Sequence, residues 1–356
     1  MVARAMPHET PVRLKSEIPP IPSSWDDLLE GIETADQWRE RQATLKVRFL
    51  EMIRDEAKPA RVPLELRIEE ERVVDDSYRL RWISYQVEAD ERASAAVGIP
   101  LHSAEPTPGV VALHGTRPQG AREAAGLEGS AERAHIDHLC RRGFTVIAPE
   151  HFVSGRRLPE RAFDTAGFYE RHPDWSAVGK FTHEHAIATD VLASLPGVDA
   201  SRLGVIGHSL GGQGAYFLAA YDERLKAAVC NCSAGTFRHN PGAEHWARES
   251  WYVYFRHLRE SLVRGEAPPM DMHEIIALIA PRAYLDVFAW NDPQGHTPTQ
   301  KQRVLLMLKH TELYDLLGES QNFGFFLHGR GHTIPAESRA LIYEFLEVHL
   351  GRGRSA

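Results

Sequence analysis

One short segment restricts the architecture more than any other: Gly207-His208-Ser209-Leu210-Gly211, followed by Gly212. It lies between an apolar run, Leu203-Gly204-Val205-Ile206, and an apolar helical stretch from Ala215 to Ala220. A serine at a sharp strand-to-helix turn takes a strained backbone conformation that lifts its hydroxyl beyond the sheet. Side chains two residues to either side would collide, which accounts for glycine at 207 and 211. The helix that follows aims its N-terminus at the same place and favours negative charge there. The segment therefore calls for a buried strand, a helix behind it and a sheet that holds both.

The rest of the chain supplies that sheet. Val110-Val111-Ala112-Leu113, residues 144–149, 203–207, 226–230, 283–289 and 323–328 are short apolar runs, as expected of strands buried on both faces. Helical patterns fall between them, at about 130–142, 178–194, 210–221, 273–279, 297–313 and 336–349. Such alternation predicts an α/β fold, a mainly parallel sheet flanked by helices, with ligands beyond the carboxyl ends of the strands. Upstream, residues 64–68 and 80–87 alternate as half-exposed antiparallel strands do, and 88–108, with Gly98, Pro100, Pro106 and Pro108, reads as a loop. Trp38, Leu45, Phe49 and Ile53 form a helical stripe within 34–56. The organisation expected is a lead with accessory helices over 1–60 and a catalytic domain over 61–356, with a cap-like insert at 233–272. The accessory helices would pack on the core or on a partner subunit, which admits a homo-oligomer.

Composition narrows the partners. A formal net charge of −8 argues against a nucleic-acid binder. No run is long enough to span a membrane, and no apolar leader is seen near the N-terminus, so a cytoplasmic location is expected. Cys140, Cys230 and Cys232 make neither a disulfide framework nor a zinc site. His183-Glu184-His185 places its histidines on different sides of a helix, so it is not a zinc motif either.

A serine hydroxyl needs a base, and the base needs an orienting carboxylate. In this architecture the chain order is serine, acid, histidine. Two histidines follow the last strand, His328 and His332; His332, after Gly329-Arg330-Gly331, is better placed to reach back over Ser209. For the acid, Asp292 lies in a turn just past strand 283–289, whereas Asp286 is inside it and the alternative acid position holds Asn231. The predicted oxyanion hole joins the backbone N–H groups of Leu210 and Thr116, with His114 supporting the second loop. Aromatic residues crowd 151–176 and 233–272; Trp246, Trp251 and Tyr252 are candidates for lining a substrate pocket, or belong to a satellite core.

With these residues in place, the chain resembles the α/β-hydrolases of the dienelactone hydrolase and acetyl xylan esterase type. The likeness runs from about Pro108 to Leu350. It rests on residues 126–129, 142–149, 206–221 and 273–282. It implies a serine hydrolase acting on a small-molecule ester, with no metal or organic cofactor. A peptidase of the prolyl oligopeptidase type shares the triad order, and a disabled hydrolase fold used for binding is the reading from a different class.

Overall fold

A computed structural model describes residues 28–103, 106–237, 245–293 and 297–351. Nine strands form one sheet in the order β1-β2-β3-β5-β4-β6-β7-β8-β9. Their spans are β1 Arg67–Val74, β2 Tyr78–Glu88, β3 Glu91–Pro100, β4 Thr107–Leu113, β5 Thr145–Pro149, β6 Val198–His208, β7 Leu225–Asn231, β8 Ala283–Ala289 and β9 Phe323–His328. The pairs from β1 to β5 are antiparallel. From β5 through β4, β6, β7 and β8 to β9 every pair is parallel. This is the α/β-hydrolase fold.

The parallel strands are where their apolar runs place them. β4, β5 and β8 are buried at every position, because helices cover both faces. Among these helices α1 spans Ala35–Met52, α2 Ala121–Ala124, α3 His135–Cys140, α4 Ala166–Arg171, α5 Ala177–Ser194 and α6 Leu210–Tyr221. Later come α7 Arg259–Val263, α8 Met272–Ala277, α9 Thr297–Leu316 and α10 Ala336–Leu350.

The antiparallel part departs from the sequence reading. Residues 91–100 are not loop but the central strand β3, and the first strand is 67–74 rather than 64–68. Ala93, Ala95 and Ala96 are weak strand formers that belong here because the space is narrow. A Cβ on Gly98 would lie 2.4 Å from Cys140 Sγ and 2.5 Å from the Ile136 side chain, so glycine lets α3 close onto the sheet. β1 is a polar edge strand exposed along nearly all its length, so hydrophobic alternation could not mark its limits.

The N-terminal helix is part of the same core. Thr34 and Gln37 form a capping box at the start of α1. Trp38, Leu45, Phe49 and Met52 are buried on its inner face, each large apolar side chain contributing about 1.5–3 kcal/mol. Gln42 Nε2 donates to the carbonyl of Ala280 at 2.6 Å. Lys46 Nζ donates to the carbonyls of Ala220 and Tyr221 at 2.6 and 2.9 Å. A cation there offsets the negative end of α6.

A buried ionic cluster fixes the loop after β5. Arg157 makes a two-pronged contact with Glu184, at 2.9 and 2.5 Å, and reaches Glu91 at 3.0 Å. Lys180 pairs with Glu88, and with Glu91 and Glu184 at 2.8 Å each. Burial pushes the Glu184 carboxyl up, but Arg157 and Lys180 outweigh it and hold it below the usual carboxylate range. Removing Glu184 takes the two-pronged partner from buried Arg157 and leaves it one carboxylate contact, with Glu91. Glu184→Ala is therefore expected to lose about 3–5 kcal/mol of unfolding free energy in urea melts. Because the folded carboxyl is the stronger acid, its contribution is present above the unfolded pKa, about 4.3, and fades as pH falls below it.

Candidate active site

Ser209 sits where β6 ends and α6 begins, with φ 57° and ψ −122°, a conformation that a non-glycine residue holds only under constraint. Its N–H donates to the carbonyl of Asn231 at 2.9 Å, and the Ser233 hydroxyl donates to its carbonyl. The glycines are sterically required. A Cβ on Gly207 would fall 2.0 Å from the carbonyl oxygen of Gly211, and one on Gly211 would fall 2.0 Å from that of Leu113. Leu210 opens α6, and the first N–H groups of a helix have no partner inside it.

The loops after β8 and β9 bring together a second pair. Asp292 follows β8 and is buried; His332 follows β9 and is half-buried. His332 Nδ1 and Asp292 Oδ2 are 2.8 Å apart. An ionised carboxylate can only accept, so the proton is on Nδ1 and Nε2 is left as the basic atom. The His208 ring, next to the nucleophile, lies 4.6 Å from the His332 ring, centre to centre. His208 in turn is tied to Asn231 Oδ1 at 2.8 Å, which joins β6 to β7 under the elbow.

The other two candidates are engaged elsewhere. His328 Nδ1 accepts the N–H of Arg330 at 3.2 Å. Asp286 is fully buried, with Arg303 at 2.6 Å and the Tyr284 hydroxyl at 3.0 Å.

The loop after β4 passes close to the serine. A Cβ built on Gly115 would be 3.5 Å from Ser209 Cβ and 3.3 Å from the His208 carbonyl. His114 holds this loop. Its Nε2 accepts the backbone N–H of His151 at 3.1 Å, so Nδ1 carries the proton and donates to the Gly115 carbonyl at 2.8 Å. Burial lowers the pKa of His114, so it works as a neutral donor. The Arg117 N–H reaches the same carbonyl at 2.7 Å. A trans peptide directs its N–H opposite to its C=O, so pinning the Gly115 oxygen also sets the direction of the Thr116 N–H. The Ser154 hydroxyl lies 3.2 Å from His114 Nε2, and no sequence motif marks Ser154 or His151 as partners of His114. Further along, Pro118 and Gln119 border a cavity of about 470 Å³ with Trp82, Arg122, Glu150 and Arg156.

The aromatic segments pack on each other. Trp246 and Tyr252 are 3% and 2% exposed, and they stand among Phe237, Tyr254 and Phe255, all buried. The Tyr252 hydroxyl meets His151 Nε2 at 2.8 Å. Trp251 is half-buried, and its indole N–H donates to the Ala162 carbonyl at 2.7 Å. Trp246 and Tyr252 thereby join the main core, in one cluster with Phe181 and Phe217. Residues 238–244 of the expected insert lie outside the described residues.

Known proteins resemble the chain in this arrangement. Residues 94–235 match the dienelactone hydrolase family, and residues 166–318 match the fungal glucuronyl esterases. A putative hydrolase, YtaP, of Bacillus subtilis (strain 168) is 28% identical over 244 residues, covering 66% of this chain and 76% of the relative. A carbohydrate esterase, MZ0003, from an unknown prokaryotic organism is 25% identical over 211 residues; the match spans 50% of this chain and 46% of the relative. Among solved structures, a glucuronoyl esterase from Solibacter usitatus superposes with a TM-score of 0.69 at 18% identity, covering 89% of this chain and 94% of that one. The fold and these matches make the chain an α/β-hydrolase. The family models and named relatives that it resembles are hydrolases acting on ester bonds.

Proposed function

We propose that the protein cleaves carboxylic esters through an acyl-enzyme on Ser209. The observation that carries this reading is the His332–Asp292 pair, 2.8 Å apart, beside the strained serine elbow. His332 Nε2 takes the proton of the Ser209 hydroxyl as its oxygen attacks the ester carbonyl. The N–H groups of Leu210 and Thr116 hold the oxyanion that forms. As the tetrahedral intermediate collapses, the ester C–O bond breaks and His332 gives its proton to the departing alkoxide. Water then attacks the acyl carbon as it loses a proton to the same nitrogen; the bond from Ser209 Oγ to the acyl group breaks, His332 returns the proton to Oγ and the carboxylic acid leaves. Asp292 keeps Nδ1 protonated and stabilises the imidazolium in both halves.

Esters of carbohydrates are the substrate class to try first. The relatives named as carbohydrate and glucuronoyl esterases support it, as does the cavity beside the oxyanion loop. Its two arginines, its two glutamates and its indole suit a hydroxyl-rich group better than an aliphatic chain. The three cysteines are unpaired, in keeping with action in a reducing compartment such as the cytoplasm.

A fluorophosphonate should label the protein stoichiometrically, and Ser209→Ala should abolish labelling. Nitrophenyl and sugar esters should turn over while aminoacyl anilides do not. Preference for the anilides would favour a peptidase, and absence of both labelling and turnover would end the hydrolase reading. His114 has a separate signature. His114→Ala should lower kcat about 100-fold with KM little changed, because the oxyanion donor acts mainly in the transition state. A rise in KM alone would remove His114 from that role.

A further inference from the structure

Three consecutive loops at the carboxyl edge of the sheet, after β7, β8 and β9, each contribute one metal-binding atom. They are Cys232 Sγ, an Asp292 carboxylate oxygen and a His332 ring nitrogen, all within 4.8 Å of one another. Among the described residues this is the cluster with ligating spacing. Cys232 stands directly after β7 with φ 57°, and its N–H donates to the Val287 carbonyl at 2.7 Å. The Cys232 thiol donates to the Thr333 carbonyl over a long 3.8 Å.

From these residues we infer a binding site for a thiophilic divalent ion, Zn²⁺ or Cd²⁺, whose occupation switches the proposed esterase off. A tetrahedral zinc ion with sulfur, nitrogen and oxygen ligands holds neighbouring donors about 3.4–3.6 Å apart. Donors that already lie within 4.8 Å of one another would reach that spacing by side-chain rotation. Three protein donors leave a fourth position for water. The mixed sulfur, nitrogen and oxygen set selects Zn²⁺ or Cd²⁺ over Mg²⁺ and Ca²⁺, which take oxygen. Binding sends the thiol proton and the Nδ1 proton to solvent. It also takes from His332 the carboxylate that orients it, so the base and the ion compete for the same atoms. The inhibitory consequence rests on the triad assignment; the binding itself does not.

Two measurements separate these. Cd²⁺ titrated into Ser209→Ala should produce the ultraviolet sulfur-to-cadmium charge-transfer band with one equivalent bound. The Ser209→Ala/Cys232→Ala double variant should lack that band, although it retains the buried Cys140 and Cys230. In the otherwise native enzyme, Cys232→Ala should retain ester turnover and raise the Cd²⁺ concentration for half inhibition at least about tenfold, since losing even a residue that only hydrogen-bonds a metal ligand costs about that much. Should alanine disturb folding, Cys232→Ser keeps the shape and replaces sulfur with a poor cadmium ligand. No charge-transfer band, or equal inhibition of native and Cys232 variants, overturns the site. A band without inhibition keeps the binding site, overturns the off-switch and counts against the triad assignment.

Discussion

Ser209→Ala and His332→Ala are each expected to lower kcat on a nitrophenyl ester by about 10⁶-fold, and the double variant is expected to lose no more than either alone. The reason is that serine and histidine act in one event. Without the base the hydroxyl keeps its proton, and without the hydroxyl the base has nothing to activate. Residual turnover should remain above the uncatalysed rate, because the Leu210 and Thr116 N–H groups still meet the oxyanion. His328→Ala supplies the contrast. Its Nδ1 is engaged by the Arg330 N–H, so turnover should stay within a few-fold of the native value. The comparison needs kcat at saturating ester, with circular dichroism to verify folding. A loss that is large in His328→Ala and small in His332→Ala would transfer the base to His328. A double variant with multiplied losses would mean that the two residues act in separate steps.

What could be read beforehand follows a physical division. The parallel half of the sheet is buried on both faces, so its strands are continuous apolar runs, and the span of α6 agrees with the sequence reading to the residue. The elbow is local chemistry, written in five consecutive residues. β3 carries no apolar run that marks it, because its identity is set by what packs on it: Ala96 and Gly98 lie on the face covered by α3, where a Cβ on Gly98 would strike Cys140 and Ile136. β1 was misplaced because an exposed edge strand is held by its ladder to β2, and its polar side chains carry no burial pattern. Asp292 and His332 could be nominated from chain order, but their 2.8 Å contact is a property of two loops 40 residues apart. Cys232 is a similar case. In sequence it is one of two thiols at the end of an apolar strand, and only the sheet order brings it next to the loops that carry Asp292 and His332. The aromatic insert was open between cap and core because hydrophobicity alone does not distinguish a lining side chain from a packed one. The low exposure of Trp246 and Tyr252 puts them in the core.

The two aspartates associated with β8 should separate catalysis from stability. Asp292→Asn is expected to lower kcat about 10⁴-fold. The amide can donate to Nδ1, which favours the imidazole tautomer with its proton on Nε2. That nitrogen would then present a donor to Ser209, where the mechanism needs an acceptor. KM should change little, since the carboxylate does not touch the ester in this mechanism. Asp286→Asn should do the opposite. Asp286 is the buried counter-charge of Arg303, which is 4% exposed and lies over the Phe288 ring at 4.2 Å. Removing that charge leaves a guanidinium in the core and should lower unfolding free energy by about 3–5 kcal/mol. Turnover per folded molecule, counted by fluorophosphonate titration, should stay within a few-fold of native. Urea melts and active-site titration on both variants give a two-by-two result. If Asp286→Asn loses turnover in molecules that remain folded while Asp292→Asn does not, the acid is inside the strand and the assignment of Asp292 is wrong. The expected crossing of the two effects would show that one strand carries the acid at its end and a structural ion pair in its middle, because only the end can aim a carboxylate at His332.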